Sequence, residues 1–274
     1  MESCLTQMFE FLNQPFILTL VGTLAAAFAG AYGAQYIAEV KREKETLLKE
    51  LRNTNSAITT AFMICNACLT RKNQHIRPLK YNYDQSKKNA IEHQKRVRAG
   101  KAQQDEIFEV YADFQALPEV DLPTEILDKK VAEEISANGR ALALAIVIKG
   151  VSKSLNEAIF QRNALVQEIK HIGTTRPDIT LLMYYGFQDP EGNIDNRYHD
   201  LVDAIYTYTD DCIYFSKLLC SDLIAHGEQL KEKLGDSNFS IYKPDFEKSI
   251  RDNLLPDESK YTDWLSMFTS KEKT

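Results

Sequence analysis

The sequence contains few residues that interrupt helices. Of its 274 residues, 11 are glycine and 8 are proline, and no low-complexity tract is present. This composition excludes collagen-like and compositionally disordered chains, and we find no repeat of about 20–50 residues of the kind that builds solenoids or propellers. Strand-like alternation of polar and apolar residues is also nearly missing, so the sequence predicts an all-α protein.

Sequence signatures of common enzymes are missing too. The chain has no glycine-rich phosphate loop, no Gly-x-Ser-x-Gly elbow and no His-Glu-x-x-His helix. Nucleotide-binding, nucleophilic and metalloprotease chemistry therefore has no positive support, and we expect a protein that is not an enzyme and that has no cofactor. The five cysteines are odd in number and irregularly spaced, which is typical of free thiols rather than of a disulfide framework.

Charge is missing from one continuous stretch, Phe16 to Ala38. At about 1.5 Å per residue the stretch forms about 34 Å of helix, enough to cross a hydrocarbon core of about 30 Å. It predicts a single transmembrane helix at 16–38, preceded by a short external segment at 1–15. A buried helix of a soluble bundle and a cleaved signal peptide are the alternatives. The length of the stretch counts against both, and the lack of basic residues before it counts against a signal peptide.

Small residues form two ladders on this predicted span. They recur at every fourth position, a spacing that lets two helix backbones approach closely in lipid. The first ladder consists of Gly22, Ala26, Gly30 and Ala34, and the adjacent one of Ala25, Ala29 and Gly33. The pattern predicts a packing face that joins two or more copies of the chain; an alanine-rich span without a partner is the alternative.

The basic residues around the span predict its orientation. No lysine or arginine precedes it, whereas five follow it closely: Lys41, Arg42, Lys44, Lys49 and Arg52. By the positive-inside rule the N-terminus lies outside and the rest of the chain in the cytoplasm. The layout indicates a single-pass protein of a bacterial inner (plasma) membrane.

The chain after the span has the pattern of long amphipathic helices. Between Lys41 and Leu69 there is no glycine or proline, and seam residues alternate by four and three positions, as in a heptad pattern. The seam consists of Leu47, Leu51, Thr54, Ile58, Ala61, Cys65 and Cys68. This first helix is predicted to end near Arg77-Pro78, because proline disfavours a helix interior.

Two further long helices are predicted, from Thr124 to about Ile172 and from about Asp195 to Leu234. Between them, residues 179–187 (ITLLMYYGF) are predicted as a short strand or a buried helical turn. The three long helices predict an elongated antiparallel bundle or coiled coil. Its parts are a stalk helix with charged segments at 39–123, the long helices at 124–235 and short C-terminal helices at 236–274.

Two blocks of opposite charge follow the first seam. Residues 71–101 contain ten Lys or Arg and two acidic residues, whereas residues 102–134 contain ten acidic residues and two Lys. The basic block is suited to anionic lipid or to the phosphates of nucleic acid. The alternative is a solvated face that the acidic block neutralises. The candidate lipid or nucleic-acid contacts are Arg71, Lys72, Lys80, Lys87, Lys88, Lys95, Arg96 and Arg98.

The cysteines offer one metal or redox interpretation. Cys65-Asn66-Ala67-Cys68 has the spacing of half a zinc site or of a redox pair. Cys212 and Cys220 on the third long helix, together with His75, are the residues that a cross-helix metal site would need. Because Cys65 and Cys68 both fall on the predicted seam, we expect them to pack in the core and expect no metal.

Two carboxylate motifs also have chemical interpretations. Glu168 and His171 form a Glu-x-x-His, but a di-iron bundle needs two copies of that motif, so we expect a surface charge pair. Asp210 and Asp211 form an acidic pair on the third long helix. We expect a structural ion pair with a basic group of the second long helix.

These features predict a membrane-anchored helical scaffold or effector. We expect it to self-associate through its span, to contact membrane lipid and to present a cytoplasmic bundle to a protein partner. A variant is that oligomers of the span perturb the membrane. The alternatives are a membrane-tethered nucleic-acid-binding protein that uses residues 71–101, and a metal-dependent enzyme in the bundle core.

Overall fold

The computed structural model describes residues 15–101, 112–137, 139–235 and 238–268. Within these ranges the backbone is helical apart from turns, connectors and one isolated antiparallel bridge between Gln188 and Ile194. The prediction of an all-α helical bundle is therefore confirmed. The predicted external segment falls on residues 1–14, which lie outside the described residues, and on Pro15, which begins the first helix.

The described helices have the following bounds. They are α1 (Pro15–Arg71), α2 (Arg77–Arg98), α3 (Thr124–Lys129), α4 (Gly139–Gly173), α5 (Pro177–Tyr185), α6 (Arg197–Leu234), α7 (Glu247–Arg251) and α8 (Thr262–Ser266). A π-helical segment at Lys72–Ile76 joins α1 to α2, and a second one at Lys130–Glu134 extends α3. A 3-10 helix at Glu258–Tyr261 leads into α8.

α1 and α2 form one continuous helical rod from residue 15 to residue 98. Arg71 and Arg77, which flank the π-helical segment, both keep right-handed helical backbone angles, and the Arg77 N–H donates to the carbonyl of Lys72, five residues back. The wider turn directly precedes Pro78, whose ring would otherwise clash with the carbonyl four residues back. The predicted end of the first helix near Arg77-Pro78 is therefore wrong.

α6 lies antiparallel to the rod along its whole length. The Cys65 thiol donates to the carbonyl of Ile213 at 3.6 Å, and the Cys220 thiol to that of Ile58 at 3.7 Å. Both helices bury the seams that their sequences predict. Leu51, Thr54, Ile58, Ala61, Cys65 and Cys68 are fully buried on the rod, as are Tyr198, Ile205, Cys212 and Leu219 on α6.

α4 packs on α6 as well, and the chain between α2 and α3 connects α4 to the rod. The amide of Asn156 exchanges two hydrogen bonds with the backbone of Val120, and that of Asn163 does the same with Leu117. The predicted second helix from Thr124 is interrupted, because the backbone turns extended at Ile135 and α4 begins only at Gly139.

The C-terminal segment, residues 238–268, runs along the rod and then returns along α6. Asn55 holds its start through the carbonyl of Ser240 and the N–H of Tyr242. Its end packs on α6, where Tyr261 stacks on Tyr214 with ring centroids 3.7 Å apart. A Cβ at Gly227 of α6 would lie 3.0 Å from Ile241, so this glycine makes room for the segment.

The first part of the rod, residues 15–46, projects from the bundle, and we call it the stalk. Every described side chain from Thr19 to Thr46 is exposed except Gly33, and core packing begins at Leu47. Within the described residues, no helix has both the length and the apolar character that a membrane span requires. The side chains of residues 16–18 and 21, which are part of the predicted span, lie outside this description, as does that of Pro15.

Candidate functional surfaces

The stalk has a row of large exposed side chains at every fourth position. Relative exposure is 48% at Leu20, 51% at Leu24, 74% at Phe28, 75% at Tyr32 and 61% at Tyr36. At about 100° per residue, a four-residue repeat advances by about 40° at each step, so these side chains form a row that winds about 160° around the helix from Leu20 to Tyr36.

The small-residue ladder lies on the opposite side of the stalk. Gly22, Ala26, Gly30 and Ala34 are offset by two residues from the large row, which is about half a turn of helix. A Cβ built at Gly22, Gly30 or Gly33 would meet no atom within 4 Å. The monomer therefore leaves this face uncovered.

Three polar contacts join the rod to α6, and the proximal one lies where the stalk enters the bundle. Glu50 accepts hydrogen bonds from the N–H and the hydroxyl of Ser136, and its Oε1 lies 3.1 Å from Nε2 of His226. Burial opposes the charge of Glu50, but these hydrogen bonds outweigh it and lower its pKa. A groove of about 550 Å³ lies beside His226 and contains the Arg140–Asp222 ion pair.

The central contact is a buried ion pair at the π-helical segment. Lys72 Nζ lies 2.6 Å from Asp210 Oδ1, donates to the carbonyl of Leu254 at 2.9 Å and sits 5.1 Å from the ring centre of Tyr206. Its side chain is 3% exposed. Burial raises the pKa of Asp210 although Lys72 opposes the shift. The predicted ion pair of this acidic motif exists, but its partner belongs to the rod and not to the second long helix.

The neighbouring carboxylate of the motif faces the C-terminal segment. Asp211 accepts a hydrogen bond of 2.8 Å from the hydroxyl of Tyr261. Burial raises the pKa of Asp211, against the effect of that hydrogen bond. The two acidic residues therefore hold two different elements against α6.

The distal contact lies near the start of α6. Lys80 bonds Asp84 one turn along the rod and lies 3.1 Å from Asp203 of α6. Burial opposes its charge, but the hydrogen bonds that Lys80 donates to these two carboxylates raise its pKa. The His199 ring stacks on Tyr83, with centroids 5.7 Å apart.

A fully buried arginine of α4 was missed by the sequence analysis. Arg162 donates to the carbonyls of Gln115 and Asp113 and lies 3.1 Å from the hydroxyl of Tyr198. Its spacing from Leu155, Ile159 and Val166, all buried on α4, was the available signal. Arg162 therefore fixes the path of the chain between α2 and α3.

The eight candidate basic residues divide into two groups. Arg71 donates to the carbonyls of Pro118 and Glu119, and Lys72 and Lys80 form the contacts described above. Lys87 is half-buried with Nζ 5.8 Å from the ring centre of Tyr83, and burial lowers its pKa. The exposed group consists of Lys88, Lys95, Arg96 and Arg98.

Part of the acidic block pairs elsewhere. Glu125 and Asp128 both contact Lys149 of α4, at 2.8 and 3.0 Å. Residues 102–111, which begin the acidic block, lie outside the described residues. The described acidic side chains of α3 thus contact α4 rather than the basic block.

The smaller motifs take structural positions. Cys65, Cys68, Cys212 and Cys220 are all buried free thiols in the seam between the rod and α6. Burial raises the pKa of Cys220 to about 12. Within the described residues, no group of three or more His, Cys, Asp or Glu side chains is arranged to hold a metal ion.

Glu168 forms a surface ion pair with Arg197, the first residue of α6, at 2.8 Å.

Comparison of the chain with protein-family models, curated proteins and solved structures found no match. The function is therefore inferred from the surfaces and contacts described above.

Proposed function

We propose that the protein is a single-pass, membrane-anchored helical scaffold or effector. Its stalk crosses a bacterial inner membrane with the N-terminus outside, and its bundle meets a protein partner in the cytoplasm. The observation that carries this proposal is the uncharged stretch at 16–38, whose described side chains are exposed apart from Gly33. Large apolar side chains such as Leu24 and Phe28 stand in water in the isolated chain, and a hydrocarbon environment relieves that cost.

Charge around the stretch supports both the anchor and its direction. Phe16 to Ala38 has no charged residue, and Glu39 and Lys41 begin the charged surface directly afterwards. The aromatic side chains of Tyr32 and Tyr36 lie near that boundary, where amphipathic rings favour the membrane interface. The basic residues that follow favour the cytoplasmic side.

Self-association through the small-residue face is part of the proposal. The large row faces lipid and the opposite ladder faces a second copy, because small residues permit close backbone contact. The uncovered glycine face described above supports this arrangement. A bundle held in pairs or rings would present several copies of its surface to one partner.

Flotation on liposomes tests the anchor. Three arginines in the span, Leu20→Arg, Leu24→Arg and Phe28→Arg, each cost about 2.5–3.5 kcal/mol near the membrane centre. We expect the unaltered full-length protein to float with liposomes and to resist carbonate extraction, and this variant to stay in the supernatant.

The matched control places three arginines on the bundle surface. Ile126, Ile146 and Phe160 are exposed to a similar degree, at 54%, 56% and 60%, and their replacement should leave flotation unchanged. An unaltered protein that remains soluble after ultracentrifugation would reject the anchor.

Crosslinking in membranes tests the packing face. Gly30→Leu places a bulky side chain on the ladder, whereas Ala31→Leu adds the same bulk about 100° away around the helix, at a position that belongs to neither ladder. We expect the crosslinked species to disappear only in Gly30→Leu. Equal crosslinking in both variants would show that the ladder is not the interface.

A further inference from the structure

We propose that the end of the rod farthest from the stalk binds nucleic acid through a basic stripe on α2. This adds a second class of partner to the protein partner proposed above, and it rests on the proposed anchor for its distance from the membrane. The stripe consists of Lys87, Lys88, Lys95 and Arg98.

The stripe runs beside the packed face of α2. Leu79, Tyr83 and Ala90 are buried and define the packed face. At about 100° per residue, the four cations fall within about 100° of arc that begins about 40° from Tyr83, over about 16 Å of helix axis. Lys87, at the near edge of the arc, is half-buried, and Lys88, Lys95 and Arg98 are exposed. Arg96 lies outside this arc and is not part of the stripe. Glu92 borders the arc, and the carboxylate of Asp84, which lies inside it, is bonded by Lys80.

Distance separates the stripe from the proposed membrane. Lys88 and Arg98 follow Ala38 by 50 and 60 residues of continuous helix, which is about 75–90 Å at about 1.5 Å per residue. The rod does not fold back, because α6 lies antiparallel to it from Glu50 to Tyr83. Charges are screened over about 8–10 Å in physiological salt, so the anchoring membrane is out of electrostatic reach. The interpretation of the basic block as a lipid contact is thereby disfavoured.

The chemistry of the stripe favours phosphates over an acidic protein. Protein interfaces depend on buried aromatic or apolar anchors, whereas the centre of the stripe has only Ile91, which is 36% exposed. Nucleic acid presents a continuous row of phosphates, about one charge per 1.7 Å in a duplex, and lysine and arginine gain affinity from counterion release. Four cations along one helix face match such a partner without an apolar centre.

Salt titration of binding tests the proposal with the full-length protein in detergent micelles. The probe is a fluorescent 20-base-pair DNA duplex, and a single-stranded RNA of equal length serves as a second probe, both read by anisotropy. The tip variant carries Lys88→Gln, Lys95→Gln and Arg98→Gln. The control carries Lys44→Gln, Lys49→Gln and Arg52→Gln, three exposed cations of α1 where the stalk enters the bundle.

Each phosphate contact contributes about 0.9 to the slope of log affinity against log salt on a duplex. We expect the tip variant to lose about 2.7 of that slope and at least tenfold in affinity at low salt, while the control keeps both. The proposal is overturned if the unaltered protein does not bind at low salt, or if both variants lose affinity equally. Displacement by polyglutamate as effective as displacement by DNA of equal charge also overturns it, in favour of an acidic protein.

The two proposals fail separately. Flotation reports the anchor without nucleic acid, and anisotropy in detergent reports binding without a membrane. Circular dichroism checks that each variant keeps its helical content, which exposed substitutions should not alter.

Discussion

At the scale of single residues, charge is buried at several places where the long helices meet. Lys72 and Asp210 are 3% and 7% exposed as side chains, and Arg162 is fully buried among carbonyl oxygens. Removing charges from water is costly, and only close partners offset that cost. We therefore expect these residues to fix the register of the helices against one another more than they add to the free energy of unfolding.

The central pair gives the first prediction. Lys72→Met leaves Asp210 buried without its partner, which destabilises a fold by about 3–5 kcal/mol. We expect the double variant Lys72→Met with Asp210→Leu to recover most of that loss, since an apolar pair of similar volume replaces an ion pair well. Urea unfolding followed by circular dichroism measures both.

The control for this prediction is the exposed pair of Lys243 and Glu228. Lys243→Met should not change the unfolding midpoint measurably, because exposed pairs contribute little. A central-pair variant that is as stable as this control would contradict the structural role of Lys72.

The proximal contact predicts a pH dependence. The pKa of Glu50 lies below its usual value of 4.5, so Glu50 binds a proton less readily in the folded chain than in the unfolded one. Its contribution to stability is present above the unfolded pKa and is lost as pH falls through the folded pKa. We expect Glu50→Gln to be less stable than the unaltered protein at neutral pH.

The gap between the two proteins should close as pH falls from about 5 toward 3, in denaturant titrations at each pH. Glu43→Gln on the exposed stalk serves as the control and should show no such convergence. A constant gap for Glu50→Gln would mean that the residue acts through packing rather than through its charge.

Sequence patterns predicted the apolar contacts at this scale, but they did not predict the partners of the buried polar residues. Ile58 and Cys65 were assigned to the seam from their spacing, and both are fully buried. Lys72 was assigned to a surface block because its charge outweighed its position, although it continues the same spacing four residues after Cys68. A partner for a buried charge is invisible to periodicity, since it comes from another helix.

At the scale of elements, the π-helical segment at Lys72–Ile76 keeps the rod continuous. It lets the backbone reach Pro78 without a break and sets the direction in which Leu79 and Tyr83 point at α6. Sequence analysis predicted a helix end there because proline usually stops a helix. The wider turn that accommodates proline has no sequence signature of its own.

Deletion of one residue from this segment gives the third prediction. Removal of Asn73 converts the wide turn into an ordinary helical turn, which brings the ring of Pro78 against the carbonyl four residues back. We expect a loss of about 3 kcal/mol, the usual cost of a proline in the interior of an ordinary helix. Removal of Glu43 from the exposed stalk is the matched deletion and should leave bundle stability unchanged. Thermal unfolding distinguishes the two.

The other helix boundaries were predicted well where the local sequence signal is strong and poorly where it is weak. α6 was predicted from about Asp195 to Leu234 and is found at Arg197–Leu234, because Gly235 adopts the left-handed conformation that ends a helix. Residues 177–185 form α5, one of the two states predicted for that run, and Gly186 ends it with φ +68°. The break before Gly139 had only that glycine as a signal, and a lone glycine is often tolerated within a helix.

At the scale of the molecule, the two ends of the rod differ in chemistry. One end is the uncharged stretch at 16–38 with exposed Phe28 and Tyr32, and the other has exposed Lys95 and Arg98. α6, at 38 residues, spans about 57 Å between them. The sequence predicted both surfaces, but their separation depended on continuity through Pro78, which it did not predict.

Energy transfer to a membrane dye tests this separation. A donor on Gln94→Cys at the basic end should show almost no transfer to acceptors in the bilayer surface, because it lies about 84 Å along the helix from Ala38. The same donor on Lys44→Cys should transfer strongly. Four native cysteines are buried, and Cys4 is replaced by serine in both proteins. Strong transfer from position 94 would mean that the basic end lies on the membrane.

The unbroken rod also fixes an angle. The helix is continuous from residue 15 to residue 98. The angle around the helix axis between the glycine ladder and the lysines of α2 is therefore set by the number of residues between them. One residue inserted into the stalk swings the ladder by about 100°, and four bring it round to within about 40° of where it began. In an assembly, the contacts between the ladders of neighbouring copies would therefore set the direction in which the basic end of each copy points.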